Sequence, residues 1–124
     1  MLILVSVAIG GAIGSVLRYL IQMQSAHWFG TTFPYGTLLV NVIGSLLIGF
    51  LSFMLLERIS VSEELRFAIL VGVLGGFTTF STFSLETLNL VHQGNYLIAI
   101  SNVLLSVGLC LIACFLGLGL ARAI

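Results

Sequence analysis

Apolar residues occupy the chain in four long blocks, and the polar residues that interrupt them fall at helical rather than strand spacing. A span needs about 20 apolar residues, so 124 residues with short connections accommodate four membrane-crossing helices and no separate extramembrane domain. The blocks predict one four-span domain, 1–124, with helices over about 2–24, 34–56, 61–91 and 96–121. Pro34 suits the first turn of the second helix, where its missing N–H costs nothing. Ser60 with Glu63 matches a capping box and predicts a third helix from near Val61, while Gly94 and Asn95 predict a short turn before the fourth.

Within the blocks, polar and small residues share faces. In the first, Ser6, Gly10, Gly14, Arg18 and Gln22 recur every four positions, flanked by Gly11 and Ser15, which predicts a face where another backbone approaches closely. In the second, Thr37, Asn41 and Ser45 line up, with Gly44 and Gly49 beside them; an amide such as Asn41 near mid-span must find hydrogen-bond partners. In the fourth, Asn102, Ser106 and Cys110 do the same, and Gly108, Gly117 and Gly119 permit close packing.

The third block differs, because Gly75-Gly76-Phe77-Thr78-Thr79-Phe80-Ser81-Thr82-Phe83-Ser84 sets two glycines, five hydroxyls and three phenylalanines inside a hydrophobic segment. Adjacent glycines weaken a helix, and Ser and Thr compete for its backbone. This predicts a helix broken over 75–79 and resuming near Thr79. Non-helical backbone at membrane depth persists only where protein or a water-filled cavity surrounds it, which marks the stretch as a binding site or pathway.

Composition agrees with a membrane protein and excludes several classes. Hydrophobic residues make up 60% and charged residues 6%, with a mean hydropathy of +1.27. Neutral net charge and the absence of charged tails leave nothing to bind nucleic acid; the bulk partner is lipid. Met1 to Leu17 carries no charge before its apolar run, so it is expected to be the first span and not a cleaved leader. No nucleophile, base and orienting group cluster, which argues against an enzyme. Cys110 and Cys114 lack His or carboxylate neighbours and are expected to be apolar filling. His27, Trp28 and Phe29 are expected in an interfacial aromatic loop over 25–33, with Tyr35 following just beyond Pro34. Arg58, Arg66 and Arg122 fall on one side of four antiparallel spans and Arg18 on the other, a weak bias that admits insertion in both orientations.

Four helices with so many packing faces scarcely enclose a pathway alone, so a homodimer is expected. If its copies insert oppositely, a two-fold axis lies in the membrane plane and the two interruptions meet near the midplane, where freed carbonyls suit a small cation such as sodium. Phe80 and Phe83, three apart, share a face and can turn ring edges to an anion. Asn41 and Asn102 supply N–H donors, and the resumed half-helix adds a positive dipole end.

The run from Gly75 to Ser84, together with Gly10-Gly11-Ala12-Ile13-Gly14 leading to Arg18-Tyr19, and the segment Gly36 to Ser45 containing Asn41, resembles the Fluc (CrcB) family of fluoride channels over the whole chain. The resemblance implies an all-α membrane protein assembled as an antiparallel, dual-topology homodimer. It also implies two fluoride pores, a structural sodium ion on the axis, and a bacterial inner membrane location. By position, Phe80 and Phe83 resemble the pore phenylalanines, Asn41 the pore asparagine, and Gly75 and Thr78 the carbonyl donors to sodium. Ser81, Thr82, Thr37 and Glu86 resemble the polar track, and Arg18 the vestibule arginine; Asn102 and Ser106 are assigned to the pore by periodicity. The implied activity is passive electrodiffusion of fluoride out of the cell, protecting it from fluoride toxicity. Two other readings share the four-span size. A small dual-topology multidrug transporter wants a deep carboxylate, for which Glu86 is the one candidate. In a non-transporting assembly subunit every polar face is interhelical glue.

Overall fold

The computed structural model describes residues Met1–Ile124 and is entirely helical. Four segments are long and apolar enough to cross a membrane: Leu2–Phe29, Tyr35–Arg58, Glu63–His92 and Tyr96–Ala123. We label the first α1 and the second α2; the last turn of α2, Met54–Arg58, is π-helical. The third comprises α3, residues 63–77, with a π-helical stretch at Ala68–Val73, and α4, Ser81–His92. The fourth is α5, Tyr96–Ala123. The chain is a multi-pass integral membrane protein.

Several boundaries differ from the sequence expectation for identifiable reasons. Helix α1 continues past Gln24 to Phe29, because nothing breaks it before Gly30, whose φ of 78° ends the helix. His27, Trp28 and Phe29 therefore form its last turn and not a loop. The aromatic cluster still assembles there, with Phe29 and Phe33 ring centroids 5.5 and 4.9 Å from that of Tyr35. Helix α3 is capped by Ser62, not Ser60: the Ser62 hydroxyl accepts from Leu65 N at 3.3 Å, and Glu63 and Glu64 then occupy the first turn, where the helix dipole favours them. The turn at Gly94 forms where expected. Gly94 has φ 79°, its N–H bonds to Val91 O at 3.0 Å and that of Asn95 to Leu90 O at 2.9 Å, the Schellman arrangement that closes α4.

Glycines fix the packing that places these helices. At Gly10 and Gly14 a Cβ would overlap the carbonyl oxygens of Ala68 and Val73, so α1 lies directly on the α3 backbone. The contact is reciprocal, since a Cβ on Gly76 would come within 2.7 Å of Gly11 O. This explains why Gly75 and Gly76 stay helical although the interruption was expected to begin there: α1 holds that turn in place. Helical geometry instead lapses over Thr78, Thr79 and Phe80: Thr78 N still donates to Leu74 O at 3.0 Å but the residue is extended at φ −84° and ψ 158°, and Thr79 N–H is the first to leave the helix. Gly49 and Gly117 join α2 to α5 in the same way, at the carbonyls of Cys114 and Leu46. Gly108 and Gly119, expected to assist, face open space. At the far end Arg58 and Arg122 both stack over the Phe53 ring, at 5.8 Å, tying the C-terminal ends of α2 and α5 together.

Only 20 of 124 residues are buried, so the apolar side chains mostly point outward. Such a surface belongs against lipid or against another chain.

Candidate functional site: a polar track between two cavities

The lapse between α3 and α4 exposes backbone groups that must be satisfied, and Asn41 on α2 satisfies those of Thr79. Its Nδ2 donates to Thr79 O at 2.8 Å, and its Oδ1 accepts from Thr79 N at 2.7 Å. That reciprocal pair fixes the amide's orientation, because the Thr79 N–H requires an oxygen opposite it. Close approach of the two elements depends on Gly44, where a Cβ would overlap the Thr78 methyl. Thr79 is the hub of the segment. Its hydroxyl accepts from Thr82 N at 3.2 Å, capping the first turn of α4, and donates to Thr82 Oγ1 at 3.1 Å; Ser81 Oγ lies 3.4 Å away.

On one side of this hub lies a mouth of about 820 Å³ between the ends of α1, α2 and α4. Thr37, Thr82 and Glu86 line it, together with Gln22, Asn89 and Gln93. A chain of hydrogen bonds crosses its wall: Gln22 Nε2 donates to Thr37 Oγ1 at 3.0 Å, and the Thr37 hydroxyl donates to Glu86 Oε1 at 2.8 Å. Glu86 Oε2 is buried and has no partner in the chain.

On the other side lies a more apolar groove of about 430 Å³, lined by Asn41, Gly75, Thr78, Phe80, Phe83 and Ser106 among others. The Phe80 and Phe83 rings pack at 5.4 Å with planes 50° apart. Their environments contrast: Phe83 is 8% exposed, whereas Phe80 is 77% exposed and projects from the subunit. Cys110 also lines the groove, and both cysteines are free.

Of the residues singled out from sequence, Thr37, Thr82 and Glu86 line the mouth and Asn41, Gly75, Thr78, Phe80, Phe83 and Ser106 the groove, two cavities joined by the Thr79–Thr82 contact; Ser81, Asn102 and Arg18 line neither. Ser81 sits exposed at the start of α4, outside the lining of either. Asn102 is 1% exposed and interhelical: its Nδ2 donates to Thr87 Oγ1 at 2.9 Å, its Oδ1 accepts from Ser106 Oγ at 3.3 Å, and Thr87 in turn donates to Phe83 O at 2.7 Å. Its amide therefore supports the Phe83 turn. Arg18 is half-buried, forms no hydrogen bond or ion pair within the chain and lines neither cavity. Sequence reasoning placed Thr79 in the interrupted run and Gln22 on the α1 stripe without assigning either a partner, and it passed over Thr87. Gln22 carried a readable signal, the last step of the every-fourth-residue stripe on α1; Thr87 carried none.

Comparison with known proteins identifies the relatives. The family described as CrcB-like protein, Camphor Resistance (CrcB), matches residues 5–118. A fluoride-specific ion channel FluC of Magnetococcus marinus is 51% identical over 118 residues, covering 95% of this chain and 96% of the relative. One from Methylococcus capsulatus is 52% identical over 96% of this chain, which spans 52% of that longer protein. One from Roseiflexus sp. is 47% identical over 98% of both. With a match from residue 5 to residue 118 and near-complete mutual coverage with two of these relatives, the chain belongs to the CrcB family.

Proposed function

We propose that this chain is a fluoride-selective channel that lets the ion leave the cell by passive electrodiffusion, and that it works as a homodimer of oppositely inserted copies with two pores. The observation that carries the reading is the 51% identity, across nearly the whole of both chains, to a protein named a fluoride-specific ion channel. The geometry suits the task. Fluoride is small and strongly hydrated, so its water must be replaced by several weak donors in succession, which allows both entry and exit. The Thr82 hydroxyl, its proton not taken up within the chain, stands at the mouth beside Thr37, whose proton goes to Glu86; the Asn41 amide lines the groove, and the edges of Phe80 and Phe83 carry the partial positive charge that an anion meets next. The N-terminal end of α4 adds a favourable dipole. Ser81, Ser106 and Asn102 belong to the same route in this reading, the last two through the network that holds Phe83, and Arg18 to its outer vestibule.

A subunit alone leaves Phe80 projecting from an open groove. A second copy would close it, and two-fold symmetry would then give two equivalent pores. A sodium ion at the axis belongs to the same proposal. Because Thr79 N–H bonds to Asn41 instead of Gly75 O, the Gly75 carbonyl lacks its helical donor, and Gly75 and Thr78 both line the groove. Freed carbonyls of this kind are the donors sodium takes at unwound membrane segments, so the residues fit the ion. Its contribution is structural, holding two interrupted helices together. Exchanging sodium for N-methylglucamine is expected to lower the cross-linkable dimer fraction in detergent, and an unchanged fraction would remove the ion from the account. Reporter fusions at the C-terminus are expected to be active on both sides of the membrane; activity on one side alone would refute dual insertion.

Planar-bilayer recording tests the activity. The reversal potential is expected to follow the fluoride gradient and to ignore an imposed pH gradient. A reversal potential set by the proton gradient would instead favour a coupled transporter.

A further inference from the structure

We infer that Gln22, through Thr37, holds the Glu86 carboxyl against the wall of the mouth, so that this residue of the polar track borders the anion's route without entering it, making Gln22 a positioning residue for conduction. This deepens the fluoride-channel reading and rests on it.

A threonine hydroxyl has a single proton to donate. Gln22 Nε2 donates into Thr37 Oγ1 at 3.0 Å and so occupies the acceptor side of that oxygen. The proton of Thr37 is thereby turned to Glu86 Oε1, at 2.8 Å. An amide can impose this direction because its NH₂ is only a donor; a leucine or methionine at residue 22 leaves the hydroxyl free to rotate. No other hydrogen bond restrains Glu86: Oε2 has no partner, and the mouth contains no arginine, lysine or histidine to hold a carboxyl by charge. The Gln22–Thr37 chain is therefore its single polar tether. Thr82, the next hydroxyl along the track, lines the same cavity, so a Glu86 side chain released from the wall can swing into the space an anion must cross. There it presents acceptor oxygens to an ion that needs donors.

The backbone is built to make this bond. Gly36 lies against α1 at Gln22, and a Cβ on it would stand 2.8 Å from Gln22 Cα. The glycine next to Thr37 is what lets α2 approach α1 closely enough for the amide to reach the hydroxyl.

The test is a double-mutant cycle on fluoride efflux from liposomes. Gln22→Leu is expected to lower flux about tenfold, the scale of one hydrogen bond to a charged or strongly polar group. In a Glu86→Gln background, where residue 86 can itself offer N–H donors, the same Gln22→Leu change is expected to have little further effect. An equal loss in both backgrounds would overturn the inference, because it would mean that Gln22 acts on packing or directly on the ion. Unchanged flux in Gln22→Leu alone would overturn it too. Size-exclusion profiles of both variants separate a misfolded protein from a mispositioned carboxyl, and Gln22→Met, which preserves side-chain length without the donor, repeats the measurement should the leucine disturb α1. If the unmutated protein passes no fluoride, the channel reading itself fails, a result distinct from a failed cycle.

Discussion

Phe80→Ile is expected to lower fluoride efflux about tenfold while the subunit fold keeps its stability, the scale of losing one aromatic edge contact of about 1 kcal/mol or slightly more. The separation of the two readouts follows from exposure: Phe80 is 77% exposed in the subunit, so an isoleucine there removes almost no core packing. Phe83→Ile is expected to reduce flux similarly but also to cost stability, about 1 kcal/mol, because that ring is 8% exposed and its turn is held by the Thr87 and Asn102 network. Fluoride efflux and thermal unfolding in detergent, measured on the same preparations, distinguish the two positions. Normal flux in both variants would return the pair to ordinary core packing.

Asn41→Leu is expected to be the most damaging single change. It removes two hydrogen bonds at once and leaves both the N–H and the carbonyl of Thr79 unsatisfied at a depth where no bulk water substitutes. Each orphaned group costs about 1–3 kcal/mol, so the loss amounts to several kcal/mol and most of the functional protein. Asn41→Asp separates the two bonds. A carboxylate still accepts from Thr79 N but cannot donate to Thr79 O, so stability should fall partway, while a negative charge beside the groove should suppress anion flux almost completely. Unfolding midpoints for the three proteins provide the check, and equal stability of Asn41→Leu and the unmutated protein would show that Asn41 does not hold the interruption.

These two predictions also show where sequence was informative. The four spans were readable from apolar block length, and the Gly10 and Gly14 contacts from spacing alone, because a small residue every fourth position has few uses besides close backbone approach. Spacing could not reveal where helical bonding stops. Two adjacent glycines point to Gly75, yet the stop falls at Thr78, since the α1 backbone against Gly76 keeps that turn helical and the Asn41 amide captures the backbone beyond it. That outcome depends on two other helices, and neither is local to the motif. Asn41 and Asn102 likewise read alike in sequence, each a lone amide within a span. In the structure Asn41 clamps freed backbone beside the groove, whereas Asn102 is sealed between α4 and α5. Which amide meets an interruption and which meets another side chain is a matter of helix order around the bundle, invisible to periodicity. Gln22 illustrates the converse. It stood on a legible stripe, but its meaning depended on Gly36 and Thr37 arriving opposite it.

The most direct test of the channel assignment loads liposomes with equal fluoride and chloride, reconstitutes the purified protein, and follows both ions with selective electrodes after potassium permeability is added. Rapid release of fluoride with chloride retained is expected, because donors and ring edges spaced for a small anion do not compensate a larger one for its lost hydration. Chloride leaving as fast as fluoride, or neither leaving faster than from protein-free vesicles, would contradict it.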